Sequence, residues 1–305
     1  MLHSGIRLAP SVSDSEINAP MLRSDAKAQQ AYFGDTRSEE RIRAHYVLEK
    51  RLATRLRDEP PVTRSVAYSE SYSELFSRLP DHPQKSVPKH HRQRRIHVVL
   101  KTLFPFFGHD KAFLEVGCGD AALSCVVAPH VARAYALDVT DALIDHAALP
   151  RNLTVLLSTG TEIPLPECSV DVVLSDQLME HIHPEDARKQ VLEVVRVLKP
   201  GGIYYCITPN RVTGPHDISV FFDYVATGFH LKEYDSAELV AVFKAAGFRK
   251  VNFFLPVGRL RIRIPRLLLR IFERGLWAMP SRARAWVARR RVVGVLAGLN
   301  AFAIK

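Results

Sequence analysis

Cysteine is scarce in this chain, and long apolar runs are missing. The 305 residues hold four cysteines, at positions 118, 125, 168 and 206, each alone inside an apolar or motif segment. No C-x-x-C pair occurs among them, so neither disulfides nor a zinc site is expected. No run of about eighteen uncharged apolar residues exists that could span a bilayer. The first thirty residues lack an apolar run, carry polar residues along their length and do not read as a signal peptide. A chain with 47% hydrophobic residues can still bury one full-sized α/β core with appendages. Those features together predict a cytoplasmic protein.

What is present begins at Phe113-Leu-Glu-Val-Gly-Cys-Gly119-Asp120. Phe113, Leu114 and Val116 around a lone Glu115 read as a buried strand, and the two glycines bring the backbone close to a ligand with no Cβ between. The run from Asp120 to Val127 has a helical pattern with Asp120 suited to its N-cap. Strand, glycine turn and helix make a nucleotide cradle. Gly117-Cys-Gly119-Asp-Ala-Ala122 also fits the dinucleotide fingerprint G-x-G-x-x-G/A, so charge must discriminate. A pyrophosphate wants the bare positive end of the helix, whereas Asp120 and Glu115 place carboxylates there. A ligand carrying a sulfonium and an ammonium, S-adenosylmethionine, tolerates both.

Further strands follow at regular distances. Ala134–Val139 ends in Asp138, nineteen residues past Gly119, where a carboxylate can accept both ribose hydroxyls of a nucleoside. Leu153–Ser158 leads to Thr159-Gly160-Thr161, and Ile163–Val173 leads a fourth strand to Ser175-Asp176-Gln177-Leu178. A helix with Val191, Leu192, Val194, Val195 and Leu198 is closed by Lys199-Pro-Gly-Gly202, before a fifth strand at Ile203–Thr208. Arg249–Leu255 reads as a sixth strand and Ala301–Lys305 as a seventh. Strands alternating with helices imply a parallel sheet covered on both faces, with ligands at the strands' C-terminal ends.

Leu114-Glu-Val-Gly-Cys-Gly119, Asp138, Leu165-Pro with Asp171-Val-Val, Glu180-His181 and Leu198-Lys-Pro-Gly-Gly202 together resemble the ordered motifs of class I S-adenosylmethionine-dependent methyltransferases of the type 11 kind, over roughly 110–255. The resemblance implies an α/β, Rossmann-like fold: a seven-stranded, mostly parallel sheet with an antiparallel last strand. It implies S-adenosylmethionine as cofactor, with Glu115, Gly117, Cys118 and Gly119 shaping the methionine pocket and Asp138 and Val139 at the ribose. Thr159, Gly160 and Thr161 would flank the adenine, and Asp176 and Gln177 would lie near the reacting end. The third glycine of the family's turn is replaced by Ala121, and an acidic or amide residue is replaced by Thr159.

Around this core the chain divides into a mobile segment at 1–35, a helical cap at 36–109, the cofactor-binding core at 110–258, an Arg-rich helical insertion at 259–298 and the last strand at 299–305. Helices are expected from Thr36 to Pro60 and around Tyr68–Leu79, either as a lid over the ligand edge or packed beside it. Residues 259–305 hold eleven Arg and one Lys against Glu273 alone, a net +11 that leaves −1 for the rest of a chain of net charge +10. Arg266, Arg270 and Arg274 recur on a basic amphipathic helix that Pro280 ends, with Trp277 and Trp286 nearby. Such a segment can be a solvated cationic face, a contact with anionic membrane through 259–291 at the inner surface, or an RNA-facing patch.

Methyl transfer requires an acceptor held in line with the methyl and, for a hydroxyl acceptor, a base. Thr208–Ser219 and Gly228–Tyr234 concentrate His216, Asp217, His230 and Glu233 among glycines and aromatics. His216 or His230 is the expected base, with Asp217 beside it; a turn whose side chains bond its own backbone is the alternative. His181-Ile-His183 with Glu180 or Asp186 makes poor chelators, so no metal is expected. The expected acceptor is a small, glycan-linked or lipid-linked molecule, more readily methylated at oxygen. The Asn/Asp-Pro-Pro-Tyr/Phe of nucleic-acid amino methylation and the Pro-Cys of cytosine-C5 methylation are both missing. RNA methylation would rest on the basic segment alone; a non-catalytic S-adenosylmethionine-binding protein and a dehydrogenase remain the rivals.

Overall fold

The computed structural model describes residues 20–83, 89–257, 260–294, 296 and 298–305. Four helices come first: α1 (Ala26–Phe33), α2 (Glu39–Asp58), α3 (Arg64–Arg78) and α4 (Lys89–Leu103). The core then alternates β1 (Gly108–Val116), α5 (Ala122–Val127), β2 (Val131–Asp138), β3 (Leu153–Leu157), β4 (Val170–Asp176), α6 (Pro184–Val197), β5 (Leu198–Pro209), α7 (Ser236–Ala245) and β6 (Lys250–Val257). The chain closes with β7 (Leu260–Ile264), α8 (Arg266–Trp277), α9 (Ser281–Ala288), α10 (Arg291–Gly294) and β8 (Gly298–Ile304).

One sheet of eight strands runs in the order β3-β2-β1-β4-β5-β8-β6-β7. Strands β1 to β5 are parallel to their neighbours, while β8 enters antiparallel between β5 and β6. The sequence predicts seven strands; the extra one is β7, which forms an antiparallel hairpin with β6. Its residues Leu260-Arg-Ile-Arg-Ile264 alternate with a period of two, so the Arg-rich insertion starts as a strand before becoming helical. Along β1 and β4 successive side chains serve opposite faces. Phe113 and Val172 join a core with Val99, Leu103, Leu123 and Val127 of α4 and α5. Leu114 and Val173 join the other core with Leu52, Leu75, Val191 and Leu239 of α2, α3, α6 and α7.

The cap helices therefore belong to a sheet core. Leu52 and Leu56 on α2 are buried, and truncating either to alanine would cost about 2–5 kcal/mol. Two buried polar contacts fix α3 across the C-terminal ends of the strands: Arg64 pairs with Asp186 at 2.8 Å, and Tyr68 Oη donates to Asp186 at 3.1 Å. Residues 1–35 are expected to be mobile, yet α1 lies inside that range. It packs with Ile42 and Tyr46 against Ile218–Phe222, and Arg23 N–H donates to Phe221 O. The amphipathic signal of this eight-residue helix is too short to read from sequence; residues 1–19 lie outside the described part.

Candidate active site

The glycine turn is shaped by its backbone. Gly117, Gly119 and Ala121 have φ of 75°, 57° and 57°, a left-handed region that favours glycine. A Cβ on Gly117 would lie 3.0 Å from both methyls of Leu178, whereas one on Gly119 would meet nothing within 4 Å, because that face is open cradle. Ala121 is fully buried. Its conformation costs about 1–2 kcal/mol, and a glycine there would forfeit roughly 0.8 kcal/mol of methyl burial and gain chain entropy in the unfolded state. Those terms nearly cancel, which is why alanine can replace the family's third glycine. Asp120 is not the N-cap: Ala121 holds that position, and Asp120 pairs with Arg92 of α4.

Each predicted cofactor residue has a defined place. Asp138 ends β2, where its carboxylate accepts Gly119 N–H at 2.8 Å and Val139 N–H at 2.7 Å; burial raises its pKa. The strand end thus closes onto the glycine turn, joining residues nineteen apart. Glu115, next to last in β1, is buried and accepts Ser124 N–H at 3.0 Å and Ser124 Oγ–H at 2.5 Å. Burial, with Asp176 and Asp138 nearby, pushes its carboxyl up to about 8. Cys118 is buried and its thiol is pushed far above the ordinary range, chiefly by burial, so it is unreactive filling. Gly160 takes φ 104° under the Tyr68 ring, and its carbonyl accepts Gln190 Nε2–H at 2.9 Å; Thr159 is exposed and Thr161 half-buried beside it. Gln177, at φ 57°, donates its N–H to Ile207 O at 2.8 Å.

Asp176 at the tip of β4 pairs with Arg95 of α4. Arg92 and Arg95 are site residues that sequence reasoning misses. The signal is the basic run Lys89-His-His-Arg-Gln-Arg-Arg95, but only the fold shows that it faces the acids of the turn.

Beyond the β4 tip lies a cavity of about 720 Å³ between the cap and the loops after β5. Its walls include His216, Asp217 and His230, together with His45, Glu49, Tyr72, His82 and His181. The structure thus brings the predicted catalytic residues together. His230 Nδ1 bonds Glu233 Oε1 at 2.7 Å, and the same oxygen accepts His216 N–H at 2.7 Å. Burial disfavours a charged His230, but the bond and charge of Glu233, with Asp217 and Glu180, prevail and raise it to about 9. His216 is kept neutral mainly by burial. Its Nε2–H faces Asn210 O at 3.2 Å, which leaves Nδ1 as the acceptor. Asp217 spends its carboxylate on the N–H groups of Ser219 and Gly228, both at 3.0 Å, and so shapes the loop.

Residues 114–206 match the family described as a methyltransferase domain. A probable S-adenosylmethionine-dependent methyltransferase of Mycolicibacterium smegmatis is 37% identical over 137 residues, covering 44% of this chain and 51% of that protein. One of Mycobacterium tuberculosis is 33% identical over 157 residues, covering 51% of this chain and 54% of that protein. The chain spans about half the length of these curated relatives. A solved structure of a SAM-dependent methyltransferase from Archaeoglobus fulgidus covers 70% of this chain and 94% of its own, at 16% identity and a TM-score of 0.47. The parallel sheet with its antiparallel entry and the glycine turn closed by Asp138 define a Rossmann-like α/β domain. Over residues 114–206 the chain is similar to class I S-adenosylmethionine-dependent methyltransferases, whose cofactor is S-adenosylmethionine. The turn fits that cofactor: Gly119 opens onto free space, and Asp138 keeps lone pairs beyond the two backbone bonds it accepts.

Proposed function

We propose that the protein transfers a methyl group to an oxygen of a small, glycan-linked or lipid-linked acceptor held in the cavity beyond β4. The observation that carries this reading is the pairing of a neutral His216 with a cationic His230 on one cavity wall. When bound, the donor supplies a methyl on an already activated sulfonium. His216 Nδ1 takes the proton of the acceptor hydroxyl, while His230, held by Glu233, donates a hydrogen bond that steadies the oxygen. The cap excludes water through α2 and α3. Extract of a deletion strain, supplied with the chain and methyl-labelled donor, is expected to yield a labelled species one methyl heavier. His216→Ala should lower kcat by about 10²–10⁴-fold with donor affinity retained. An unchanged kcat would remove the base, and no labelled product at all would favour the binding-protein reading.

The Arg-rich segment supports a place at an anionic membrane surface. Leu267, Leu268 and Ile271 are 69%, 58% and 57% exposed on α8, and Trp286 on α9 is 54% exposed. Arg266, Arg270 and Arg274 are exposed on the same helix, while Leu269, Glu273 and Leu276 face the core. A merely solvated cationic face leaves three exposed aliphatics unexplained, whereas a headgroup layer accepts both kinds of side chain. No helix among the described residues is long and apolar enough to cross a membrane.

A further inference from the structure

At the cavity wall, His181 and His230 meet the buried Glu180 in a group built from distant parts of the chain. Glu180 and His181 lie on the turn Met179–His181, and His230 comes from the loop before α7. One ligand atom from each lies within 4.8 Å of the others. The two rings are aimed by what stands behind them. His181 Nδ1 lies 3.1 Å from Phe229 O, and a carbonyl only accepts, so Nδ1 carries the proton and Nε2 presents a lone pair. His230 Nδ1–H is held by the Glu233 carboxylate at 2.7 Å. Metal-ligating histidines are oriented in this way, by a carbonyl or carboxylate on the far nitrogen.

Glu180 supplies an independent observation. Its Oε2 accepts Thr208 Oγ1–H at 3.0 Å, but Oε1 is buried and has no hydrogen-bond partner among the described residues. A carboxylate oxygen left so costs at least about 1–3 kcal/mol, a deficit that a cation would remove. The second cluster, His45, Glu49 and His82, lacks this readiness. Arg37 Nη1 lies 2.8 Å from His45 Nδ1 and can only donate, so the proton of a neutral His45 sits on Nε2, which donates to Glu49 at 2.7 Å. That cluster is closed upon itself.

We propose that Glu180, His181 and His230 bind one first-row divalent transition metal, with its remaining positions open to the cavity. Two imidazole nitrogens and one carboxylate oxygen suit zinc, iron(II), cobalt(II) or manganese(II), and offer too few oxygens for calcium or magnesium. With a metal bound, His230 is neutral and its Nε2 ligates, so the ion would take the place of the hydrogen bond that a cationic His230 gives the acceptor oxygen; titration without donor or acceptor tests the metal site separately from methyl transfer. His183, two residues on, takes no part, since it turns away to accept Glu185 N–H at 3.3 Å; the second histidine arrives from forty-nine residues downstream of His181.

The test uses the tag-free full chain, stripped with a chelator and titrated with Zn²⁺ and Co²⁺ by calorimetry, with no donor or acceptor present. One equivalent is expected, with Co²⁺ giving visible d–d absorption. Glu180→Gln, His181→Asn and His230→Asn should each weaken binding at least about tenfold, whereas His45→Gln should leave it unchanged. Circular dichroism of each variant separates lost binding from lost fold, and a variant that unfolds is replaced by Glu180→Asp or His181→Gln. Absence of a stoichiometric metal would overturn the site. So would binding that survives the three substitutions in folded protein, or that falls equally with His45→Gln.

Discussion

Replacing Asp138 by alanine tests the donor pocket at its most specific point. The carboxylate has about four acceptor positions; Gly119 N–H and Val139 N–H use two, at 2.8 and 2.7 Å. Two remain for the vicinal ribose hydroxyls. Hydrogen bonds to a charged group contribute about 1.5–3 kcal/mol each, so losing both should weaken donor binding by about 3–6 kcal/mol, or roughly 10²–10⁴-fold. The fold should survive, because the half-exposed turn lets water replace the lost acceptor at both N–H groups; about 1–3 kcal/mol of stability is at stake. Calorimetry with S-adenosylhomocysteine and urea denaturation of the same preparation read the two effects separately. A folded variant whose affinity stays within about threefold of the parent, under roughly 0.7 kcal/mol, would refute the ribose assignment.

Gly117→Ala should lower stability by about 1–2 kcal/mol, since φ 75° is costly for alanine and the new methyl must displace Leu178; chemical denaturation measures it. Glu115 gives a pH signature. Burial, then the charges of Asp176 and Asp138, raise its folded pKa to about 8 from an ordinary 4.5. The unfolded chain therefore binds fewer protons between those values, and the group's contribution falls as pH rises through that window, by up to about 1.4 kcal/mol per unit. Glu115→Gln should remove this slope, gaining stability relative to the parent at pH 8 but not at pH 4; parallel slopes in denaturation would contradict it. Leu268→Asp with Ile271→Asp should reduce cosedimentation with phosphatidylserine vesicles while leaving phosphatidylcholine vesicles unbound in both proteins. Undiminished sedimentation would discard the membrane surface, and retention on RNA instead would favour the nucleic-acid reading.

The parallel core was readable because each strand ends in a small set of recognisable residues. Val116 precedes the glycines, Asp138 closes the second strand and Asp176 the fourth, and the structure places all of them on one sheet edge. What escaped reading has a physical cause in each case. The strand Leu260–Ile264 was hidden by arginines at its alternate positions, which draw the eye to a charge run. Arg92 and Arg95 reach the site only because α4 packs beside α5, a placement that no local pattern encodes. The helix Ala26–Phe33 owes its existence to Ile218–Phe222, nearly two hundred residues away. The cavity histidines were partly legible: His216 and His230 stood in conspicuous loops, but Glu180 and His181 joined them only through the register of β4 beside β5.

The central claim is that the carboxylate-edged glycine turn takes a positively charged nucleoside free of phosphate. Calorimetric titration of the full chain with S-adenosylhomocysteine, repeated with NADH, tests it most directly. One equivalent of the thioether nucleoside is expected to bind and NADH to give no heat beyond dilution. Saturable NADH binding with no response to S-adenosylhomocysteine would contradict the account.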